Sequence, residues 1–496
     1  MKPSLLLCLL LLCVSAFAQA PADESASKFT RQSLGSNGRE IFSAQADKPN
    51  ILFILADDLG YADVGFNGSK DITTPALDHL AENGMIFASG YVAHPVCGPS
   101  RTALMTGRLP HRFGAQDNIP PGHPEFGITL SETFLSNVLR DSGYFTGMIG
   151  KWHLGSAPEY QPNQRGFDEF YGFLGSGHGY FVTRYELKFE TEKKAGTAYS
   201  DSNAAPLLRN GVEVKENNYL TDGFTREAVR FIDSAAKKEQ PFFLYLAYNA
   251  PHAPMEARKE DLEKFSHIAD RKRRVYAAMV YAVDRGVAKI VETLQTTGQF
   301  DNTLILFFSD NGGAIPTGAS NAPLKAGKRD VYEGGVRVPM MMHWPAQVKA
   351  GQRFEHPVTS LEFYPTLARL AGASIPAGKL LDGKDIWADV MAGRNPHTDE
   401  MIFAMSHRHG YTDASGRRGK WKAVKAYQRP WMLYNLERDI GETHNVSQQH
   451  PDMLKKWSAT SRTGRTPTRC PCGCTTPRTR KTGKATPSPT LTTPSN

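Results

Sequence analysis

Four short stretches of this chain are apolar almost without a break: "NILFILADD" (50–58), "FTGMIGK" (145–151), "PFFLYLAYNAPH" (241–252) and "TLILFFSDNGG" (303–313). A strand with one face in water alternates apolar and polar residues. A continuous run of roughly four to eight apolar residues, bounded by polar residues or glycine, reads instead as a strand covered on both faces. Covering both faces takes helices, and "TLSETFLSNVLRDSG", "TDGFTREAVRFIDSAAKK" and "RRVYAAMVYAVDRGVAKIVETLQ" carry apolar residues at helical spacing. The pattern predicts an α/β fold, a mostly parallel central sheet flanked by helices, over residues 48–374. A helix over "TSLEFYPTLARLAG" closes that domain. Beyond it, "EMIFAMSHR", "KWKAVKAY" and "WMLYNLERD" read as short strands joined by turns, which predicts a smaller C-terminal antiparallel-sheet subdomain over 375–457.

The two ends differ from this body. Met1-Lys2, the apolar run "LLLCLLLLCVSAF" and Ala18-Gln19-Ala20 make a secretory signal peptide over 1–20, followed by a linker over 21–47. No later segment offers the roughly 20 apolar residues of a membrane span, so the expectation is an exported protein, periplasmic or extracellular, with no stable membrane insertion. Lipid attachment at Cys13 is disfavoured by the bulky Leu12 before it. Cys97 is then the lone cysteine of the body, with Cys470, Cys472 and Cys474 near the end, which excludes a disulfide framework. The net charge is +8, but residues 461–496 hold Arg462, Arg465, Arg469, Arg478, Arg480, Lys481 and Lys484 and no acid. The body is near neutral, and a nucleic-acid partner is not expected. The Thr- and Pro-rich stretch over 458–496 buries too little to order itself.

In parallel α/β sheets ligands sit beyond the carboxyl ends of the strands. The first apolar run ends in Asp57 and Asp58, and the last in Asp310 and Asn311. Three carboxylates and an amide oxygen brought together repel one another unless a hard cation sits among them, and an all-oxygen set suits Ca²⁺ or Mg²⁺; the alternative is a pair of Asx turns. The other two runs end in bases, Lys151 with His153, and His252 between prolines. Taken singly such residues serve structure; gathered opposite a metal they describe an anion pocket. Finally, "PSRTALMTG" has proline in a first turn and glycine at the end, the asymmetry of a short helix. Cys97 then stands at the helix start, where free N–H groups favour negative charge.

Residues 97–108, "CGPSRTALMTGR", match the pattern C-x-P-S-R-x-x-x-[LM]-T-G-R of the type I sulfatases at every fixed position. The chain resembles that family over residues 49–450: Asp57-Asp58, "GKWHLG", "PHAP", Asp310-Asn311, "GKRDVYEGG" and "LYNLERDIGETHN" follow in the family's order. The resemblance implies an alkaline-phosphatase-like fold and oxidation of Cys97 by a maturation enzyme to Cα-formylglycine, whose hydrated aldehyde is the nucleophile. It implies that Asp57, Asp58, residue 97, Asp310 and Asn311 hold Ca²⁺ in preference to Mg²⁺ and that Arg101 fixes the diol. It also implies that Lys151, His252 and Lys328 grip the sulfate oxygens, with His252 the general acid and His153 the base of the step that expels sulfate. Lys328 stands four residues before Tyr332 of "YEGG", as the family's lysine does, and nearby Lys325 is read as solvated surface. The basic tail looks foreign to the family, either a frameshifted end or a species-specific extension.

The resemblance thus implies a secreted hydrolase of sulfate monoesters acting on a sulfated carbohydrate. His178 and Arg184 in "GSGHGYFVTRYE", and His407 and Arg408 in "MSHRHGYTD", are expected at a glycan-binding rim, against the alternative of ordinary loop residues. A phosphoesterase with the same machinery is the enzymatic alternative, separated by comparing aryl sulfate with aryl phosphate. A sugar-binding protein that has lost the chemistry is disfavoured because no motif residue is missing.

Overall fold

The computed structural model describes residues 48–408, 411–426 and 428–455, apart from the Arg408 side chain. The expected signal peptide, linker and basic tail lie outside the described residues.

Ten strands form the main sheet: β1 (Asn50–Ala56), β2 (Met85–Tyr91), β3 (Phe145–Lys151), β4 (Glu169–Phe173), β5 (Leu207–Arg209), β6 (Val212–Val214), β7 (Phe242–Ala247), β8 (Thr303–Ser309), β9 (Met340–His343) and β10 (Gln352–Thr359). Their spatial order is β10-β2-β9-β8-β1-β7-β3-β4-β5-β6. The four apolar runs are therefore the adjacent central strands β8, β1, β7 and β3, all parallel. Leu55 pairs with both Phe308 and Ala247, and Ala247 with Gly150, so the four carboxyl ends finish level at one edge.

Why the runs lack alternation is visible in the packing. Along β1, Ile51, Phe53 and Leu55 enter one core, while Leu52, Ile54 and Ala56 enter another on the opposite face. The first core is closed by the helices Cys97–Thr106, Leu135–Asp141 and Phe363–Leu370, and the second by Leu220–Ala236 and Arg271–Thr296. At about 1.5–3 kcal/mol per buried large aliphatic or aromatic side chain, this two-sided burial is the main force holding the central strands. The helix expected over "TLSETFLSNVLRDSG" is confined to its second half, because Asn137 folds back to accept the Phe134 N–H and starts the helix there.

A separate antiparallel sheet follows, in the order β11 (Ile402–Arg408), β12 (Tyr411–Arg418), β13 (Trp421–Lys425) and β14 (Met432–Asn435). The expectation of strands in this region omits β12, whose sequence "YTDASGRR" has no apolar run. Among the described residues no helix is long and apolar enough to cross a membrane.

A buried charge cluster joins the two sheets. Lys422 of β13 lies 2.8 Å from Glu333 and 3.2 Å from Glu442, all three at most 1% exposed. Glu333 also accepts from Tyr91 of β2 at 2.6 Å, and Glu442 accepts from the Glu333 N–H at 2.7 Å. Burial pushes the Glu442 carboxyl up, to about 7, against Lys422. Lys422→Met would leave two buried carboxylates without their shared cation, and the cost of breaking such a pair, about 3–5 kcal/mol, is expected as a drop in unfolding midpoint at pH 8. Because the folded pKa of Glu442 lies above its unfolded value, its protonated form is favoured in the fold. Wild-type stability should therefore gain from Glu442 as pH falls from about 7 toward 5, because the fold takes up that proton before the unfolded chain does, which thermal unfolding at several pH values measures.

Candidate active site

The level carboxyl ends of β8, β1, β7 and β3 place their terminal residues together. The chain after β1 turns sharply: Asp58 has a left-handed backbone (φ 66°), as does His153 after β3 (φ 60°), a conformation disfavoured for residues with a Cβ. Asp58 is held there by hydrogen bonds across the strand ends. Its N–H reaches the Asp310 carboxylate at 3.3 Å, the Leu59 N–H donates to Ser309 Oγ at 2.9 Å, and the Asp57 N–H donates to the Ala250 carbonyl at 3.1 Å.

Asp57, Asp310 and Asn311 are fully buried, and Asp58, Cys97 and His153 nearly so. The carboxylates meet three cations. Lys151 Nζ lies 2.6 Å from Asp57, Lys328 Nζ 2.8 Å from Asp58, and Arg101 reaches Asp310 through Nε at 3.0 Å and Nη2 at 2.8 Å. Arg101 also donates from Nη1 to the Lys151 carbonyl at 3.0 Å. The helix Cys97–Thr106 starts at Cys97 and stops at Gly107, whose left-handed conformation (φ 65°) ends it. Cys97 and Arg101, four residues apart, share a face of that helix.

These contacts set the protonation states. Burial raises Asp57 and Asp310 above the usual carboxylate range, against Lys151 and Arg101. Asp58 is also pushed up by burial, but Lys328, His252 and the Asn311 amide more than reverse it and hold it low. The Cys97 thiol, raised by burial, is brought below its ordinary value by Lys151 and Lys328. His153 is kept neutral by burial and then by Lys151 and Arg101, and His252 is lowered by burial against the pull of Asp58. His252 Nδ1 lies 2.7 Å from the Ala253 carbonyl and therefore carries the proton, leaving Nε2 toward Asp58 at 3.7 Å.

A cation site can be tested on these atoms. One oxygen each of Asp57 and Asn311 is buried with no hydrogen-bond partner, which is costly for a polar atom. Ligand atoms of Asp57, Cys97 and Asp310 lie within 4.8 Å of one another, as do those of Asp57, Asp58 and His252. A hard divalent ion fits this oxygen-rich donor set.

Asp57, Asp58, Cys97, Arg101, Lys151, His153, His252, Asp310, Asn311 and Lys328 thus come together, as their motifs lead one to expect. The rim residues divide. His178 is a correction: it is fully buried, with Nδ1 2.8 Å from the Gly179 carbonyl and Nε2 2.7 Å from that of Ala205, so it clamps backbone and lines no rim. Arg184 is exposed and paired with Glu256 at 2.8 Å, half-buried His407 sits near Thr412 Oγ1 at 3.2 Å, and the side chain of Arg408, the fourth expected rim residue, lies outside what the structure describes. Lys325 is a second correction. It is not solvated surface; its ammonium donates to the Glu442 carbonyl at 2.8 Å and lies over the rings of Tyr332 and Tyr434.

Two residues at the site gave no sequence signal. Asn118 Oδ1 accepts the Gly98 N–H at 3.0 Å, and a β carbon on Gly98 would fall 2.8 Å from that oxygen, which accounts for glycine beside Cys97. Tyr180 places its hydroxyl 2.7 and 2.8 Å from the carbonyls of Asn249 and His252, bracing the His252 loop. Neither lies in a motif with chemistry of its own.

Comparison with known proteins agrees with this geometry. A profile of the sulfatase family matches residues 49–373, and one for the C-terminal region of N-sulphoglucosamine sulphohydrolase matches 326–458. The chain is 35% identical over 420 residues to human N-acetylgalactosamine-6-sulfatase, covering 82% of this chain and 77% of that one. To an uncharacterized sulfatase, YdeN, of Escherichia coli it is 34% identical over 457 residues, covering 81% and 76%. Among solved structures, Ps i-CgsB in complex with k-i-k-neocarrahexaose superposes with a TM-score of 0.82 at 52% identity, covering 85% of this chain and 94% of that one.

Chelator-stripped protein is expected to gain thermal stability when Ca²⁺ is returned, about 2.7 kcal/mol at a hundredfold excess over Kd, whereas Asp310→Ala should show no such gain. A thermal shift titration reads both.

Proposed function

This chain belongs to the sulfatase family of sulfuric ester hydrolases, and from that premise we propose that it is an exported enzyme that releases sulfate from a sulfated carbohydrate, using formylglycine at position 97 and a bound Ca²⁺. The observation that carries the proposal is Cys97 at a helix start, enclosed by Asp57, Asp58 and Asp310 and by Arg101, Lys151 and Lys328.

Charge balance supports the cation. Three carboxylates face three cationic side chains, so protein charges alone give little net attraction for an anion. A divalent ion held by Asp57, Asp58, Asp310, Asn311 and residue 97 would tip that balance and acidify a hydroxyl beside it. Oxidised by a maturation enzyme to the aldehyde and then hydrated by water to a diol, residue 97 supplies the hydroxyl that attacks sulfur.

The remaining roles fall to the chain's own side chains. Arg101, fixed by Asp310 and the Lys151 carbonyl, keeps residue 97 oriented. Lys151 and Lys328 are free to swing from their carboxylates to the non-bridging sulfate oxygens, where donors in a buried site stabilise charge far better than in water. An arriving sulfate ester adds negative charge near His252 and favours proton uptake at Nε2, the atom not committed to Ala253. That proton is then available to the leaving oxygen. His153, neutral and with both ring nitrogens unpartnered, is suited to accept a proton when sulfate is expelled.

For the substrate, the 52% identity to a protein crystallised with a neocarrahexaose favours carrageenan-type oligosaccharides. Arg184, His407 and Arg408 remain the proposed rim contacts. Export rests on the signal peptide over 1–20.

From protein made with the maturation enzyme, a tryptic peptide spanning Cys97 should carry an aldehyde and react with a hydrazide probe. Cys97→Ala should keep the wild-type melting temperature and lose essentially all turnover. Full activity with an unmodified thiol would defeat the formylglycine reading. His252→Ala is expected to slow release from a sugar sulfate at least tenfold more than from an aryl sulfate, whose leaving group departs without a proton. Equal losses on the two would leave His252 only a binding role.

A further inference from the structure

From the contacts of Lys325 we infer that it is a positioning residue for Lys328, and that through it the C-terminal sheet sets where the Lys328 ammonium stands. This rests on the proposed sulfate-gripping role of Lys328.

The segment that carries Lys328 does not hold its shape unaided. Ala326 (φ 63°) and Arg329 (φ 77°), on either side of Lys328, both have left-handed backbones, a conformation that costs a residue with a Cβ about 1–2 kcal/mol. Contacts from outside the segment must offset that cost. On the side of the main sheet, the Lys328 N–H donates to the Gly313 carbonyl at 3.2 Å and the Arg329 N–H to the Pro95 carbonyl at 2.8 Å. These tie down the second half of the segment; its first half is held on that side only through the Asn321 amide, which donates to the Ala326 carbonyl at 3.1 Å, and needs a further hold on the side of the C-terminal sheet.

Lys325 does this. Its carbonyl accepts from the Gly334 N–H at 2.9 Å, and its ammonium donates to the Glu442 carbonyl at 2.8 Å. The ammonium stands 4.5 Å from the ring centroid of Tyr332 and 5.5 Å from that of Tyr434, within the range of cation–π attraction. Glu442 is itself immobilised. Its carboxylate is buried and shared between Lys422 and the Glu333 N–H, and its backbone is also left-handed (φ 49°). Val331, Tyr332, Val424, Met432 and Tyr434 form a small apolar core between the Lys328 segment and β13 and β14, with Ala326 packed on it. A continuous path thus runs from Lys422 in β13 through Glu442 and Lys325 to Lys328, 2.8 Å from Asp58. The Lys328 stem is rooted in this segment, so a displaced segment would carry the ammonium away from its place 2.8 Å from Asp58 and change which positions it can swing to.

The test is a double-mutant cycle on the matured, Ca²⁺-loaded full chain, with an aryl sulfate as substrate. Lys325→Met keeps the aliphatic stem against Tyr332 and Tyr434 and removes the ammonium. It should lower kcat/KM about tenfold, and Lys325→Arg, which restores a cation and donor, should recover to within about threefold of wild type. In a Lys328→Ala background the same Lys325→Met change should alter kcat/KM less than twofold. The full tenfold loss in that background would overturn the positioning role while leaving Lys328's own role standing, as would a folded Lys325→Met enzyme of wild-type activity or an Arg variant as slow as the Met one. Wild-type activity in Lys328→Ala alone would overturn the reading of Lys328 and the inference with it. Should Lys325→Met not fold, Lys325→Gln enters the same cycle with the same expectations.

Discussion

Three carboxylates cannot be buried side by side unless positive charge is buried with them. Asp57, Asp58 and Asp310 lie at the ends of the two central strands β1 and β8, out of reach of bulk water. An unpaired ion in such a place costs several kcal/mol. The fold meets this by bringing Lys151 from β3, Arg101 from the helix that starts at Cys97, and Lys328 from a long segment after β8. Each cation answers a different carboxylate. What is left over, an unpartnered oxygen on Asp57 and another on Asn311, is where the arrangement still asks for a cation. Under the proposed function, the same balance would let a site made of acids bind an acid: its lysines are held in place by carboxylates until another anion competes for them.

The second sheet belongs to this economy of charge. Lys422 stands between Glu333 and Glu442, and Glu333 is also bound by Tyr91 of the main sheet and by Arg337. This cluster lies behind the Lys328 segment, and among the described residues the C-terminal sheet meets that segment through Lys325 and a small apolar core. Elsewhere the site is braced differently, by the Tyr180 hydroxyl against the carbonyls of the His252 loop and by Asn118 on the first turn of the Cys97 helix.

Much of this was legible in the chain. The continuous apolar runs identified the central strands, and the residues at their ends were the residues of the site. These are local properties: burial on both faces dictates composition over a few positions, and a parallel strand delivers whatever follows it to the same edge as its neighbours. The position of Cys97 at a helix start followed from the Pro and Gly around it in the same local way. Strand β12 was not legible, since its pairing with β11 and β13 supplies the stability its polar sequence lacks.

What the sequence by itself determined, then, was the class of fold, the strand-end constellation and the family signature, all written within windows of a dozen residues. Only the tertiary structure decided that Lys325, three residues before Lys328, is not solvated but caged by Tyr332, Tyr434 and Glu442, while Lys328 meets Asp58. It alone turned His178 inward, where two backbone carbonyls claim both its ring nitrogens. The physical reason is common to both cases. A side chain's charge and length are local, but its partner lies wherever packing brings a distant segment, 117 residues away for Lys325 and 270 for Lys328.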